Sequence, residues 1–199
     1  FNTSYPLKKI GNFYDSILAP KLSFKFSPNS TDDMKDDDRR IDVNNIYSFN
    51  RLASSSVEGV PSITYGIEFL SANKSGREVF SSKIANSLKL KEDKKLPQNS
   101  NLWKKTSDIV GNFKYDPNNF FNINYDFSLN ENLSDTSYQK LDTLFQVNNF
   151  ITTFGYLNES NLDKNESYIS NSTIYKFNNN NNLKFETRKN KETKLTEFY

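Results

Sequence analysis

The sequence contains no cysteine and no histidine among its 199 residues. Without thiol and imidazole groups, thiol and histidine catalysis are excluded, and a structural zinc site would lack its usual ligands. No run of about 18 apolar residues occurs, so the sequence predicts no transmembrane helix. The 26 basic and 24 acidic residues nearly cancel to a net charge of +2, which gives no argument for nucleic-acid binding.

Aromatic residues are abundant although the chain is polar on average. They make up 15% of the residues, with 17 Phe and 11 Tyr, while all hydrophobic residues together reach only 35%. A disordered chain is poor in aromatics, so this polarity does not indicate disorder. A polar average with apolar residues at alternate positions is typical of a wall between lipid and water.

The segment from Phe121 to Asn130 alternates between apolar and polar residues without exception. Successive side chains of a strand point to opposite faces, so this segment predicts a strand with one apolar and one polar face. The pattern recurs and predicts about eleven strands in an all-β, antiparallel, up-and-down transmembrane β-barrel segment, or an open curved sheet. The predicted strands span residues 1–9, 16–27, 61–70, 77–90, 108–116, 120–130, 138–148, 150–157, 168–177, 183–188 and 194–199.

The connections between these strands alternate in length, which is the order of an outer-membrane barrel with short periplasmic turns and longer outside loops. Short turns are predicted at residues 11–12, 73–76, 117–119, 148–149 and 178–182, and longer links at 28–60, 91–107, 131–137 and 158–165. Aromatics crowd the strand ends beside the short turns, as in an interfacial girdle: Phe13, Tyr14, Tyr115, Phe120, Phe121, Phe150 and Phe177. Cross-strand aromatic pairs in a soluble β-sandwich remain an alternative explanation.

The polar positions of the strands are the candidate site residues. They would face the lumen of a barrel or the solvent around a sandwich: Lys21, Lys25, Glu68, Lys83, Lys114, Asn124, Asp126, Lys140, Asp142, Lys184, Glu186 and Arg188. No nucleophile–base pair or phosphate cradle is recognisable among them. We therefore expect no catalytic residue, no metal site, no cofactor and no enzymatic activity.

Two charged segments lie in predicted loops. The acidic run of residues 32–38 lacks the glycine and the terminal glutamate of an EF-hand, so we expect a solvated loop. The mixed-charge run of residues 91–95 is also expected to be solvated. Trp103 follows it, either as an interfacial anchor or as an aromatic that packs within the loop.

Several short motifs, taken in order, resemble the lipopolysaccharide-assembly outer-membrane proteins of the LptD (OstA/Imp) family. The motifs are Leu18–Asn29, Asp42-Val43-Asn44-Asn45-Ile46-Tyr47, Asn50-Arg51, Val57-Glu58-Gly59-Val60, Tyr65-Gly66-Ile67, Ser107-Asp108-Ile109-Val110-Gly111 and Pro117-Asn118. One departure is Ala53-Ser54-Ser55, where the family often has a glycine-containing turn.

The resemblance implies that residues 1–199 are a single, partial barrel domain, without the periplasmic jellyroll and without the strands of the lateral gate. The first residues lack a methionine and a signal peptide, and both ends read as strand interior, so we expect a piece of a longer protein. The implied function is insertion of lipopolysaccharide into the outer leaflet of the outer membrane of a Gram-negative bacterium. A general porin or uptake barrel and a soluble β-sandwich surface-binding module are the alternatives.

The implied partners are lipopolysaccharide, membrane lipids, an LptE-type lipoprotein plug and, through the jellyroll, a periplasmic LptA-type bridge; no nucleic acid is expected. If the acidic loop faces lipopolysaccharide, its carboxylates could share divalent ions and its arginines could contact phosphates. The residues of this hypothesis are Asp36, Asp37, Asp38, Arg39 and Arg40.

Overall fold

The structure is a computed structural model that describes residues 1–37, 39–52, 55–98, 100–160, 165–178 and 180–198. These residues form strands and connecting loops: β1 (Asn2–Ser4), β2 (Leu7–Ile10), β3 (Tyr14–Lys25), β4 (Ser62–Asn73), β5 (Glu78–Lys89), β6 (Ile109–Asn118), β7 (Phe121–Leu129), β8 (Thr136–Val147), β9 (Phe150–Ser160), β10 (Asn165–Lys176), β11 (Asn182–Asn190) and β12 (Thr196–Phe198). Among the described residues, no helix is long and apolar enough to cross a membrane.

All strands of the described residues belong to one open 12-stranded sheet. From β3 to β12, each strand pairs antiparallel with the next one in the sequence, and β1 and β2 both pair with β3. This confirms the predicted all-β, up-and-down architecture. The single sheet contradicts the β-sandwich alternative, which needs two packed sheets. The first predicted strand is divided in two at Pro6, because proline has no backbone N–H for the ladder.

The connections separate into two ends of the sheet, called here the short-turn end and the long-loop end. Residues 11–13, 74–77, 119–120, 148–149, 177–178 and 180–181 lie at the first, and residues 26–37, 39–52, 55–61, 90–98, 100–108 and 130–135 at the second. The predicted long link at 158–165 is wrong at residues 158–160 and 165, since β9 continues to Ser160 and β10 begins at Asn165. Residues 161–164 lie outside the described residues.

The turn residues explain why the chain reverses where it does. In the turn after β4, Gly76 has φ 82°, a conformation that glycine adopts without strain. The Asn73 side-chain oxygen accepts hydrogen bonds from the backbone N–H groups of Ser75 and Arg77, both at 3.0 Å. After β8, Asn148 adopts φ 50°, which asparagine tolerates better than most residues.

The strand register gives the sheet one polar and one apolar face, because directly opposed residues of neighbouring strands point to the same side. The apolar face exposes large side chains, among them Leu22 at 46%, Ile63 at 44% and Phe145 at 47%. Near its centre, the Phe127 ring stacks with Phe113 at 5.6 Å and with Tyr125 at 5.7 Å between centroids. Gly111 lies opposite Phe127, and a Cβ there would collide with the ring.

The buried core lies on the polar face, where the two longest loops fold over β5 and β6. We call these loops, residues 26–37, 39–52, 55–61, 90–98 and 100–108, the loop unit. Its core contains Ile41, Val43, Ile46, Leu52, Leu96 and Leu102, packed with Ala85 and Val110 of the sheet. Trp103 packs against this cluster, so it is a loop-packing aromatic. The expectation of a solvated run at 91–95 was wrong for Asp93, which is only 8% exposed.

Candidate functional site

The register brings every candidate strand residue to the polar face. Lys83 lies opposite Glu68 and Asn112, and Lys114 lies opposite Asn124. Asp126 opposes Lys140. The same alternation across β9 and β10 extends this face to β11. There Arg188 opposes Ser170, and Glu186 and Lys184 point to the same side. At the other edge, Lys21 opposes Gly66 and Lys25 opposes Ser62, two positions of β4 that share a face with Glu68.

Most charges of the uncovered polar face form local ion pairs. The pairs are Lys21–Glu68 at 2.7 Å, Lys140–Asp142 at 2.8 Å and Lys184–Glu186 at 2.8 Å. The Arg188 guanidinium lies over the Tyr168 ring at 4.1 Å. Since these groups are substantially exposed and screened by solvent, such pairs contribute little to stability. They make the uncovered part of the face charged.

An amide–carboxylate network connects β6 and β7 on the same face. The Asn112 side-chain amide donates to Asp126 at 2.8 Å and to Asn124 at 2.9 Å. The Asn124 amide donates to the second oxygen of Asp126 at 2.9 Å. Asp126 is therefore held as a hydrogen-bond acceptor by two amides, and no nucleophile takes part in the network.

The loop unit is attached to the sheet by a buried ion pair between Arg51 and Glu58. Both side chains are only 1% exposed. Arg51 also donates to Ser87 of β5 at 2.8 Å, and Lys25 of β3 donates to Glu58 at 2.8 Å. Burial disfavours the charged carboxylate, but Arg51 and Lys25 overcome this effect and hold the pKa of Glu58 at about 2.

Small residues on the sheet make room for this attachment. Ser62, Thr64 and Ser87 are 2%, 4% and 1% exposed, and their short side chains let the loops lie close to the strands. At Gly66 a Cβ would collide with the Tyr47 hydroxyl of the loop unit. The Tyr-Gly motif at the start of β4 therefore has a packing explanation.

The two loops of the unit also bind each other. The Thr31 hydroxyl donates to buried Asp93, and the Lys95 ammonium donates to the Thr31 carbonyl at 3.1 Å. The Lys89 ammonium, at the end of β5, donates to the Leu102 carbonyl. These hydrogen bonds join the two loops into one folded unit.

Asp108 attaches the second loop to β7 and β8. It is 0% exposed and accepts hydrogen bonds from the hydroxyls of Ser128 at 3.0 Å and Ser137 at 2.6 Å. The Asn101 amide donates to its other oxygen. Neither Asp108, Arg51 nor Glu58 was among the predicted site residues, although each lies in a motif of the family resemblance.

The predicted contact loop is held by protein groups. Arg39 donates to the Leu52 carbonyl at 2.6 Å. Arg40 forms an ion pair with Glu159 of β9 at 2.5 Å, and its guanidinium lies 3.5 Å from the centroid of the Tyr138 ring. In the described part of the chain, no group of three or more His, Cys, Asp or Glu could hold a metal ion.

The predicted acidic contact residues differ in their surroundings. Asp37 accepts from the Arg39 N–H at 2.9 Å. Asp36 is exposed, and Asp38 lies outside the described residues. The hypothesis that Asp36, Asp37, Asp38, Arg39 and Arg40 contact lipopolysaccharide or its divalent ions stays a prediction.

Two comparisons with known proteins bear on this arrangement. The family model described as "LptD: LPS transport system D" matches residues 2–188, nearly the whole chain. A search of curated proteins found no match.

Proposed function

Because the chain belongs to the LptD family of lipopolysaccharide transport proteins, we propose that its sheet is barrel wall of the outer-membrane translocon that inserts lipopolysaccharide into the outer leaflet. The family is a transport component rather than an enzyme. The observation that carries the proposal is the division of one sheet into an exposed apolar face and a charged face that holds a folded loop unit.

In this proposal the apolar face contacts lipid tails. Leu22, Ile63, Ile67 and Phe145 are exposed there, and their burial in hydrocarbon would be favourable. At the short-turn end, Phe13 at 79% and Phe120 at 57% exposure would form part of the interfacial girdle. The short turns would then lie in the periplasm and the loop unit at the outer surface.

The polar face would line the lumen. The loop unit covers the part of this face near the long-loop end, and the described strands leave the remainder open. Sugar and phosphate groups of lipopolysaccharide would pass along the open part, whose ion pairs and amides offer both donors and acceptors. The predicted lumen residues from Lys21 to Arg188 thus belong to this proposed surface.

The open edges of the sheet favour continuation of the wall by further strands. Backbone groups of an unpaired strand cannot be left in hydrocarbon, so both the β1–β2 edge and the β12 edge need partners in a membrane. We propose that residues 1–199 are part of one barrel domain, that an LptE-type plug contacts the polar face, and that an LptA-type bridge delivers the lipid from the periplasm. Arg39, Arg40 and the acidic residues beside them would meet lipopolysaccharide at the outer surface.

Depletion of the full-length protein in its Gram-negative host tests this function. We expect newly made lipopolysaccharide to disappear from the cell surface while its synthesis continues, and expression of the wild-type protein should restore it. Normal surface lipopolysaccharide after complete depletion would contradict the proposal.

A further inference from the structure

Lys83 and Lys114 differ from the other lysines predicted to line the polar face. Among the described residues, neither has a carboxylate within 4.0 Å, and Lys114 is exposed. The others are all paired with acids: Lys21 with Glu68, Lys25 with Glu58, Lys140 with Asp142, and Lys184 with Glu186. Among the described residues, the ammonium groups of Lys83 and Lys114 therefore have no counter-ion from the protein.

The two lysines are close neighbours. Lys83 lies opposite Asn112 and Lys114 lies opposite Ser81, so they are diagonal neighbours on adjacent antiparallel strands. Residues in this relationship lie about 7–8 Å apart, within reach of a single ligand held by two long side chains. Like charges at this spacing repel each other unless an anion lies between them.

Acids of the same face close to the pair have other partners, among them Asp116, which pairs with Arg77. Glu68, directly opposite Lys83, forms its ion pair with Lys21 at 2.7 Å. Asp126, directly opposite Asn112, accepts from Asn112 and Asn124. None of these acids is within salt-bridge distance of the two lysines, so the pair remains available to an anionic ligand.

The pair lies where the loop unit ends. Ala85 follows Lys83 by two residues on β5, and the residue opposite it on β6 is Val110. Ala85 and Val110 are only 4% and 1% exposed because the loops cover them. Lys83 is half-buried, and Lys114 is exposed toward the short-turn end. A ligand that moved along the open polar face would reach these ammonium groups just before the covered region.

We propose that Lys83 and Lys114 together bind a phosphate group of lipopolysaccharide below the loop unit; this rests on the proposed transport function. A phosphate oxygen accepts charge-assisted hydrogen bonds from lysine ammonium groups, and a dianion neutralises both cations at once. The amides of Asn112 and Asn124 beside the pair would donate to, or accept from, the adjoining sugar.

Lipid binding to the purified full-length protein tests the assignment, with phosphorylated and dephosphorylated lipopolysaccharide as probes. The double variant Lys83→Gln/Lys114→Gln should bind the phosphorylated lipid about tenfold more weakly, from the loss of charge-assisted hydrogen bonds. Its affinity for the dephosphorylated lipid should stay at the wild-type value. Lys74→Gln, which removes a charge from the turn after β4, should change neither affinity.

Further variants and probes make the outcomes distinct. Lys83→Arg/Lys114→Arg keeps both charges and should retain binding of the phosphorylated lipid, and unchanged melting would show that the glutamine variant is folded. Equal losses for both lipids, or no loss, would overturn the assignment. Inorganic phosphate is a third probe. If the glutamine variant lost affinity for inorganic phosphate but not for the phosphorylated lipid, the pair would bind free phosphate, and its assignment to the lipid would be overturned. Wild-type protein that bound neither lipid would instead contradict the proposed function.

Discussion

Arg51 and Glu58, seven residues apart in one loop, form an ion pair whose side chains are both 1% exposed. The Arg51 guanidinium also reaches Ser87 of β5, and Glu58 also receives Lys25 of β3. One buried pair thus connects a long loop to β3 and β5, two strands that do not follow each other in the sequence. Such a pair is strongly sensitive to the loss of one partner, because a charge is then left uncompensated in the interior.

Arg51→Met should destabilise the protein by about 3–5 kcal/mol, since Glu58 would lose its main partner while still buried. Denaturant unfolding of the full-length protein in detergent or lipid measures this loss. Arg39→Met removes a more exposed arginine of the same loop and should cost about 1 kcal/mol or less. If Arg51→Met unfolded at the same denaturant concentration as Arg39→Met, the buried pair would not anchor the loop.

Stability should also depend on pH through Glu58. Its pKa is about 2 in the folded protein against 4.5 for a free glutamate, so the folded state binds this proton less readily than the unfolded state. The resulting stabilisation is complete above about pH 4.5 and is lost as the pH falls toward 2. Unfolding measured across this range should be less pH-dependent in Glu58→Gln, whereas an unchanged pH profile would remove Glu58 as the cause.

A charge placed on the apolar face should lower the free energy of unfolding in a bilayer much more than the same charge on the polar face. Ile123→Arg should cost about 2–4 kcal/mol near the midplane of a bilayer. Asn124→Arg, one residue away on β7 and on the opposite face, should cost far less. Folding equilibria in lipid vesicles compare the two variants, and equal costs would contradict the assignment of the faces.

Asp108 should hold the second loop against β7 and β8. Asp108→Ala leaves the hydroxyls of Ser128 and Ser137 without their acceptor and should destabilise the protein by about 1–3 kcal/mol. Asp116→Ala removes a partly exposed carboxylate that pairs with Arg77, and should cost about 1 kcal/mol or less. Limited proteolysis should cut residues 100–107 faster in the Asp108 variant only; equal rates would contradict this anchoring role.

The strands could be predicted because their signal is local. The segment Phe121–Leu129 forms β7 almost as the alternation predicted at residues 120–130. The same two-residue period underlies the prediction that the candidate side chains line a lumen. The exception at residues 158–165 arose because Asn158, Glu159 and Ser160 are polar on both faces. Alternation disappears in such a stretch, and only pairing with β10 reveals the strand.

The loop unit could not be predicted because its contacts are long-range. Ile41, Leu96 and Leu102 are 0% exposed, yet they lie in polar segments without any period. Asp93 read as a solvated charge because its partner, Thr31, lies 62 residues away. The same applies to Arg51 and Asp108, whose residue types are normally exposed and gave no local sign of burial.

Cysteine accessibility along β7 tests the central claim, that the polar face lines a water-filled lumen and the apolar face contacts lipid. The sequence has no cysteine, so each single substitution at positions 121–126 carries the only thiol. In outer membranes that contain the full-length protein, a hydrophilic thiol reagent should label positions 122, 124 and 126 and leave 121, 123 and 125 unlabelled. Labelling that was uniform, or stronger at the odd positions, would contradict the account.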